Sequence, residues 1–113
     1  MISIKQFFTI LVLVLVLSAF PHQFTLAAET NNPAKLFEIN CAGCHPRGGN
    51  IIRRGKNLSL RALHRNKLDS LEAIETLVAN GKNNMSAYKD RLTEKEIEDV
   101  STYVLEQAKT GWK

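Results

Sequence analysis

Apolar positions recur at intervals of three and four residues through most of this chain, which is the spacing of one face of an α-helix. A helix is predicted to begin at Asn32-Pro33, because asparagine caps helices and proline suits the first helical position. A shorter helix over 59–64 has weaker signals. No alternating pattern longer than a few residues indicates a strand. The pattern therefore predicts an all-α domain.

One helix is predicted to open at Asp69, which is followed by Glu72 three positions later, and to close at Gly81. The apolar positions that share one face of this helix are Leu71, Ile74, Leu77 and Val78. This face is predicted to lie against the interior of the domain.

The longest predicted helix starts at Thr93 and Glu96, whose spacing is that of a capping box. Gly111 marks its end. Its apolar stripe consists of Ile97, Val100, Val104 and Ala108. A stripe of this length predicts a helix that packs along most of a small core.

The first 27 residues differ from the rest, because they hold a single charged side chain and an apolar run over 7–17 broken only by one threonine. A spanning helix needs about 20 apolar residues, so this run is short for an uncleaved membrane anchor. Small side chains then stand at the −3 and −1 positions of a cleavage site. We expect a signal peptide over 1–27, cleaved before Ala28 or Glu29, and one exported domain over 28–113.

Charge and cysteine content narrow the function. Beyond the signal peptide, 14 basic and 11 acidic residues leave a net charge of +3, which is too weak a bias to indicate nucleic-acid binding. Two cysteines cannot form a disulfide-rich scaffold or a four-cysteine zinc site. Segments 45–57 and 81–91 break the helical pattern. Irregular segments of this length in a small domain indicate that it folds around a bound group.

The chemistry is concentrated in Cys41-Ala42-Gly43-Cys44-His45. In a Cys-x-x-Cys-His motif the two thiols add across the vinyl groups of haem, and the adjacent imidazole ligates the iron. A redox dithiol would require a strand before the motif, zinc would require two further ligands, and a disulfide here would close almost no loop. Covalent haem is the favoured interpretation.

Met85 is the favoured sixth ligand of the iron, since it is the only methionine beyond the signal peptide and has polar neighbours on both sides. His64 is the rival, between two arginines on a predicted polar face. Histidine–methionine ligation recurs in c-type electron carriers. With both axial positions filled, the iron suits electron transfer and not catalysis, so we do not expect an enzyme.

The chain resembles the cytochrome c6 family over essentially all of 28–113. The motifs that carry the resemblance are Asn40-Cys41-Ala42-Gly43-Cys44-His45, Gly48-Gly49-Asn50, Asn80-Gly81-Lys82-Asn83, Met85, Arg91-Leu92 and the segment 97–113. The resemblance implies the class I cytochrome c fold, with about four helices around one covalent haem c. It also implies that the first and last helices cross, with Phe37 near Tyr103.

The function implied by the resemblance is that of a soluble monohaem carrier, not embedded in a membrane, in a thylakoid lumen or periplasm of a cyanobacterium-like source. Its donor would be the cytochrome b6-f complex and its acceptor photosystem I or a cytochrome oxidase. The family's thioether cysteines, axial ligands and docking arginine match Cys41, Cys44, His45, Met85 and Arg91, with Lys89 an addition to the docking patch.

Two positions depart from the usual family pattern. Ser86 stands where proline usually follows the methionine, and Leu77 stands where a glutamine usually contacts the haem. The leucine resembles the c6-like paralogues of cyanobacteria, for which lower potentials are expected because polarity beside a haem tunes its potential. An alternative function is a haem sensor or small-ligand module in which Met85 is displaced.

Overall fold

The computed structural model describes residues 1–17 and 32–113. The helices in these ranges are α1 (Ile4–Leu17), α2 (Pro33–Asn40), α3 (Leu60–Arg65), α4 (Leu71–Asn80) and α5 (Glu94–Thr110). The helix α1 coincides with the apolar run of the predicted signal peptide, whose cleavage site lies outside the described residues. In the two described ranges, no helix combines the length and the apolar character needed to cross a membrane.

Capping side chains begin the helices where the sequence predicts them. The Asn32 side chain accepts hydrogen bonds from two backbone N–H groups of the first turn of α2. Ser59 caps α3. Thr93 and Glu96 form both halves of the capping box of α5. Such a cap contributes about 1 kcal/mol because it satisfies an N–H group that has no partner within the helix.

The start of α4 differs from the prediction, which gave Asp69 as the opening residue. The Ser70 hydroxyl accepts a hydrogen bond from the Ala73 N–H, so Ser70 is the N-cap and α4 begins at Leu71. The Asp69 carboxylate lies instead 2.7 Å from Nδ1 of His64. Donation from this imidazole holds the pKa of Asp69 below its ordinary value of 3.8.

The core of the domain forms where α5 packs across α2 and along α4. Its buried side chains are Leu36, Phe37, Leu63, Ile74, Val78, Ile97, Val100, Val104 and Ala108. The ring centroids of Phe37 and Tyr103 are 5.6 Å apart, which confirms the predicted contact between the first and last helices of the domain. Burying a side chain such as that of Phe37 contributes roughly 1.5–3 kcal/mol.

Trp112 holds the loop that follows the cysteine motif in place. Trp112 packs on Phe37, with ring centroids 5.0 Å apart. Its indole N–H donates to the Leu58 carbonyl at 2.9 Å. Gly48 has a φ of +76°, and a Cβ there would lie 2.3 Å from the indole. Only glycine therefore allows this loop to lie directly under Trp112.

The segment 45–57, which was predicted to be irregular, contains two short 3-10 turns, Pro46–Gly48 and Arg54–Lys56. Asn50 fixes the chain between them, since its side-chain oxygen accepts from the N–H groups of Ile52 and Arg53 at 2.9 and 2.7 Å. The loop is thus held by local hydrogen bonds as well as by Trp112.

Candidate haem-binding site

The cysteine motif is a continuation of the last turn of α2. The N–H groups of Cys41 and Ala42 both donate to the Phe37 carbonyl, at 2.8 and 2.9 Å. The N–H groups of Cys44 and His45 then donate to the Cys41 carbonyl, at 3.1 and 2.9 Å. One compact turn therefore presents both thiols and the imidazole, at the helix end where the sequence predicts them.

The His45 ring is held by the loop that follows it. Its Nδ1 lies 2.8 Å from the Gly49 carbonyl oxygen. Because a carbonyl only accepts, Nδ1 carries the proton, so in the neutral imidazole the lone pair is on Nε2. A backbone partner of this kind is typical of metal-ligating histidines, since it fixes both tautomer and ring orientation.

The two cysteines lack the environment of a redox dithiol. Both are free thiols; Cys41 is half-buried and Cys44 exposed. Burial, with a smaller contribution from the neighbouring Cys44 thiolate, raises the pKa of Cys41 to about 11. Reactive dithiols have a lowered pKa, so this environment disfavours a thioredoxin-type site. Within residues 1–17 and 32–113, no cluster of three or more His, Cys, Asp or Glu side chains could hold a metal ion such as zinc.

Met85 lies in a tight turn that folds back over the end of α4. Lys82 and Met85 exchange two backbone hydrogen bonds, each 3.0 Å long. Gly81 has a φ of +67°, and a Cβ there would lie 2.5 Å from the Met85 carbonyl oxygen, so the turn requires glycine. The Met85 side chain is half-buried and packs against the edge of the core.

Tyr88 connects this methionine loop to the cysteine motif. Its N–H donates to the Val78 carbonyl at 3.0 Å. Its hydroxyl donates to the carbonyl of Asn40, the residue before Cys41, at 2.8 Å. Tyr88 was not among the site residues predicted from the sequence. The available signal was an aromatic side chain in an otherwise polar loop, which needs an anchor for both its ring and its hydroxyl.

The residues present fit a covalently attached haem. They supply two free thiols, an imidazole with an available Nε2 and a thioether sulfur. Apolar surface is also available, since Leu71 and Leu77 on α4 are half-buried and lie outside the buried core cluster. A leucine that packs neither in the core nor fully in solvent is suited to contact with a large apolar ligand.

The other predicted site residues are on the surface. The His64 side chain is 80% exposed and hydrogen-bonded to Asp69. Arg91 is exposed and its guanidinium lies 4.3 Å from the centroid of the Tyr88 ring, next to the methionine loop. Lys89 is also exposed. A docking role for Arg91 and Lys89 stays a prediction.

Three comparisons relate the chain to known proteins. Residues 28–104 match the sequence model of the family described as cytochrome c oxidase, cbb3-type, subunit III. The chain is 62% identical over 87 residues to a cytochrome c6-like protein of Nostoc sp. PCC 7120, covering 77% of this chain and 78% of that protein. It is 50% identical over 86 residues to cytochrome c6 of Cyanidioschyzon merolae, covering 76% and 82%.

The fold is similar to the crystal structure of cytochrome c6C from Synechococcus sp. PCC 7002, with a TM-score of 0.68 and 58% identity over 69% of this chain and 95% of that one. Helical architecture, cysteine motif and relatives together define a class I c-type cytochrome. The chain belongs to the cytochrome c6 family, which includes the c6-like paralogues.

Membership establishes the cofactor and the general function. The chain binds one covalent haem c and is a monohaem electron carrier of photosynthetic or respiratory electron transport. The relatives support the interpretation as a c6-like paralogue and do not favour a haem sensor.

Proposed function

We propose that Cys41 and Cys44 form the two thioether bonds to the haem, and that His45 and Met85 are its axial ligands. The observation that carries this proposal is the 2.8 Å contact from His45 Nδ1 to the Gly49 carbonyl, which leaves Nε2 free to ligate. When bound, the haem iron supplies one-electron redox chemistry.

The chain's own residues keep the coordination constant. The Gly49 carbonyl holds the imidazole in one tautomer, and the turn closed by Lys82 holds Met85 in place. Two filled axial positions leave no place for oxygen or peroxide, so the protein transfers electrons and does not act as an enzyme.

The proposal extends to location and partners. Residues 1–27 act as a signal peptide cleaved before Ala28 or Glu29, and the domain over 28–113 works in a thylakoid lumen or periplasm. The donor is the cytochrome b6-f complex and the acceptor photosystem I or a cytochrome oxidase. Arg91, with Lys89, contributes to acceptor docking. The support is the similarity to proteins named cytochrome c6 and the exposure of both cations.

The axial ligand is tested by Met85→Ala in the holoprotein. This variant should lose the weak near-infrared band of iron–thioether ligation and have a lower reduction potential, because a thioether favours the ferrous state. His64→Ala is the matched control and should retain the band. A band that survives in Met85→Ala and disappears in His64→Ala would refute the assignment.

Attachment is tested by Cys41→Ala and Cys44→Ala. Each variant should shift the pyridine haemochrome spectrum, because one thioether bond is replaced by a free vinyl group. Most of the chain should fail to mature, since the cofactor completes a small core. A wild-type spectrum in either variant would contradict the proposal.

A further inference from the structure

Seven basic side chains and no acidic one occupy the chain between Asn40 and Leu68. They are Arg47, Arg53, Arg54, Lys56, Arg61, Arg65 and Lys67, and all are exposed. The rest of 28–113 holds 7 basic and 11 acidic residues. The modest net charge of +3 thus conceals a segment of +7 within a domain that is otherwise −4.

Hydrogen bonds bring the two halves of this segment onto one surface. The Arg65 guanidinium and the Asn66 amide both donate to the Gly55 carbonyl, each at 3.2 Å. The Lys56 ammonium donates to the Asn66 side chain at 2.5 Å. The turn Arg54–Lys56 therefore lies against the end of α3, and Arg61, one helical turn before Arg65, continues the same exposed side.

The fold does not neutralise these charges. In residues 1–17 and 32–113 the ion pairs are Lys35–Glu38, His64–Asp69 and Lys95–Asp99. None includes a member of the basic segment. Like charges held together raise the local potential and oppose folding unless a negatively charged group lies near them.

Two exposed isoleucines join this basic surface to the cysteine motif. Ile51 and Ile52 are 69% and 55% exposed, immediately before Arg53. The Ile51 N–H donates to the Cys44 carbonyl at 3.0 Å. An apolar contact flanked by charged side chains is the composition of a protein docking site. Its place beside the attachment motif suits the passage of electrons and not the anchoring of the domain on lipid.

We propose that this basic surface, defined as Ile51, Ile52, Arg53, Arg54, Lys56, Arg61 and Arg65, docks an acidic protein partner. It is distinct from the docking patch at Arg91 and Lys89. The inference rests on the proposed attachment at Cys44, because docking here brings a partner next to that residue. Carboxylate side chains rimming an apolar contact on the partner would complement it.

Binding is tested on the ferrous holoprotein by titration with a glutamate decamer, followed by backbone amide NMR shifts. The expected shifts lie in residues 50–66. This readout needs no electron transfer at Cys44, so a failed attachment assignment and a failed docking assignment give different results. Shifts confined to the loop around Arg91 would overturn the proposal.

The kinetic test uses hexacyanoferrate(III) as an anionic oxidant of the reduced holoprotein. Arg53→Gln/Arg54→Gln should lower the second-order rate about threefold or more at low ionic strength, and the loss should vanish at high salt. Lys35→Gln/Lys109→Gln is the matched control with the same net charge and should lower the rate less. Arg53→Lys/Arg54→Lys should retain the wild-type rate.

Equal losses in the two glutamine variants would show that only net charge matters and would overturn the proposal. Sedimentation with phosphatidylglycerol vesicles separates a lipid partner. If vesicle binding is lost in Arg53→Gln/Arg54→Gln while the decamer shifts are absent from wild type, the surface binds membrane and the proposal is wrong.

Discussion

Replacing Tyr88 by phenylalanine removes one hydroxyl group and keeps the ring. The hydroxyl spans 48 residues of sequence to donate to the Asn40 carbonyl at 2.8 Å, and thereby ties the methionine loop to the start of the cysteine motif. The Arg91 guanidinium remains over the ring in the variant, because its contact is with the ring face. The substitution therefore isolates one hydrogen bond.

The expected loss of stability depends on the Asn40 carbonyl, which loses its hydrogen-bond donor in the variant. A neutral hydrogen bond contributes about 0.5–1.5 kcal/mol, and an unsatisfied partly buried carbonyl moves the loss toward the upper end. We expect the free energy of unfolding to fall by about 1–1.5 kcal/mol. For a domain of this size the melting temperature should fall by roughly 5–10 °C.

The assay is thermal unfolding of the ferric holoprotein, followed by far-ultraviolet circular dichroism and by the near-infrared band. Tyr103→Phe is the matched control. Its ring packs on Phe37 and Trp112, and within the described part of the chain its hydroxyl makes no hydrogen bond. It should change the melting temperature little. Equal shifts in the two variants would refute the role given to the Tyr88 hydroxyl.

The pH dependence provides a second check on Tyr88. Burial raises the pKa of Tyr88 above its ordinary value of 10.0. The stabilisation from the protonated hydroxyl is therefore complete below pH 10 and is lost as the pH rises through the folded-state pKa. The difference in stability between wild type and Tyr88→Phe should be constant from pH 6 to 9 and shrink above pH 10, as urea unfolding would measure.

Three further predictions follow from other parts of the molecule. Leu77→Gln should raise the reduction potential, on the order of 60 mV for each 1.4 kcal/mol of preferential stabilisation of the ferrous state. A redox titration that finds the midpoint unchanged or lower would count against a haem contact at this position. Ser101→Ala should stabilise the protein by about 1 kcal/mol in chemical denaturation, because the Ser101 hydroxyl is fully buried and has no hydrogen-bond partner among the described residues. A loss of stability in this variant would disprove the prediction. The pKa of the Asp69 carboxyl, measured by NMR, should lie below 3.8 and return toward that value in His64→Ala, since the imidazole favours the carboxylate. The stabilisation from this contact is lost only as the pH falls through the lowered pKa. An identical midpoint in the two proteins would exclude the contact.

Helix starts were predictable from sequence because capping is a local interaction. The side chains of Thr93 and Glu96 each accept a hydrogen bond from the other residue's backbone N–H, so the cap forms within one turn. Asp69 and Ser70 are both good caps, and local rules do not choose between adjacent candidates. In the fold the Asp69 carboxylate contacts the His64 ring, and Ser70 caps the helix.

The site was predictable to the extent that its chemistry lies in a contiguous motif. The two cysteines and His45 lie so close in sequence that one turn fixes their relative positions. The contacts that hold the methionine loop are of another kind, since Tyr88 and Asn40 are separated by 48 residues and no periodicity relates them. The basic surface was overlooked for a related reason, because a net charge averages over the chain whereas folding collects Lys56 and Arg65 in one place.

The position of Trp112 also determines the order in which the protein can be completed. A ribosome makes the chain from its N-terminus, so the loop containing Gly48 exists long before the indole that covers it. Until Trp112 is in place, the loop beside Cys44 and His45 lacks the side chain that covers it. The cysteine motif thus stays accessible on this side for as long as Trp112 has not packed onto the loop. Trp112→Ala should leave that side permanently uncovered.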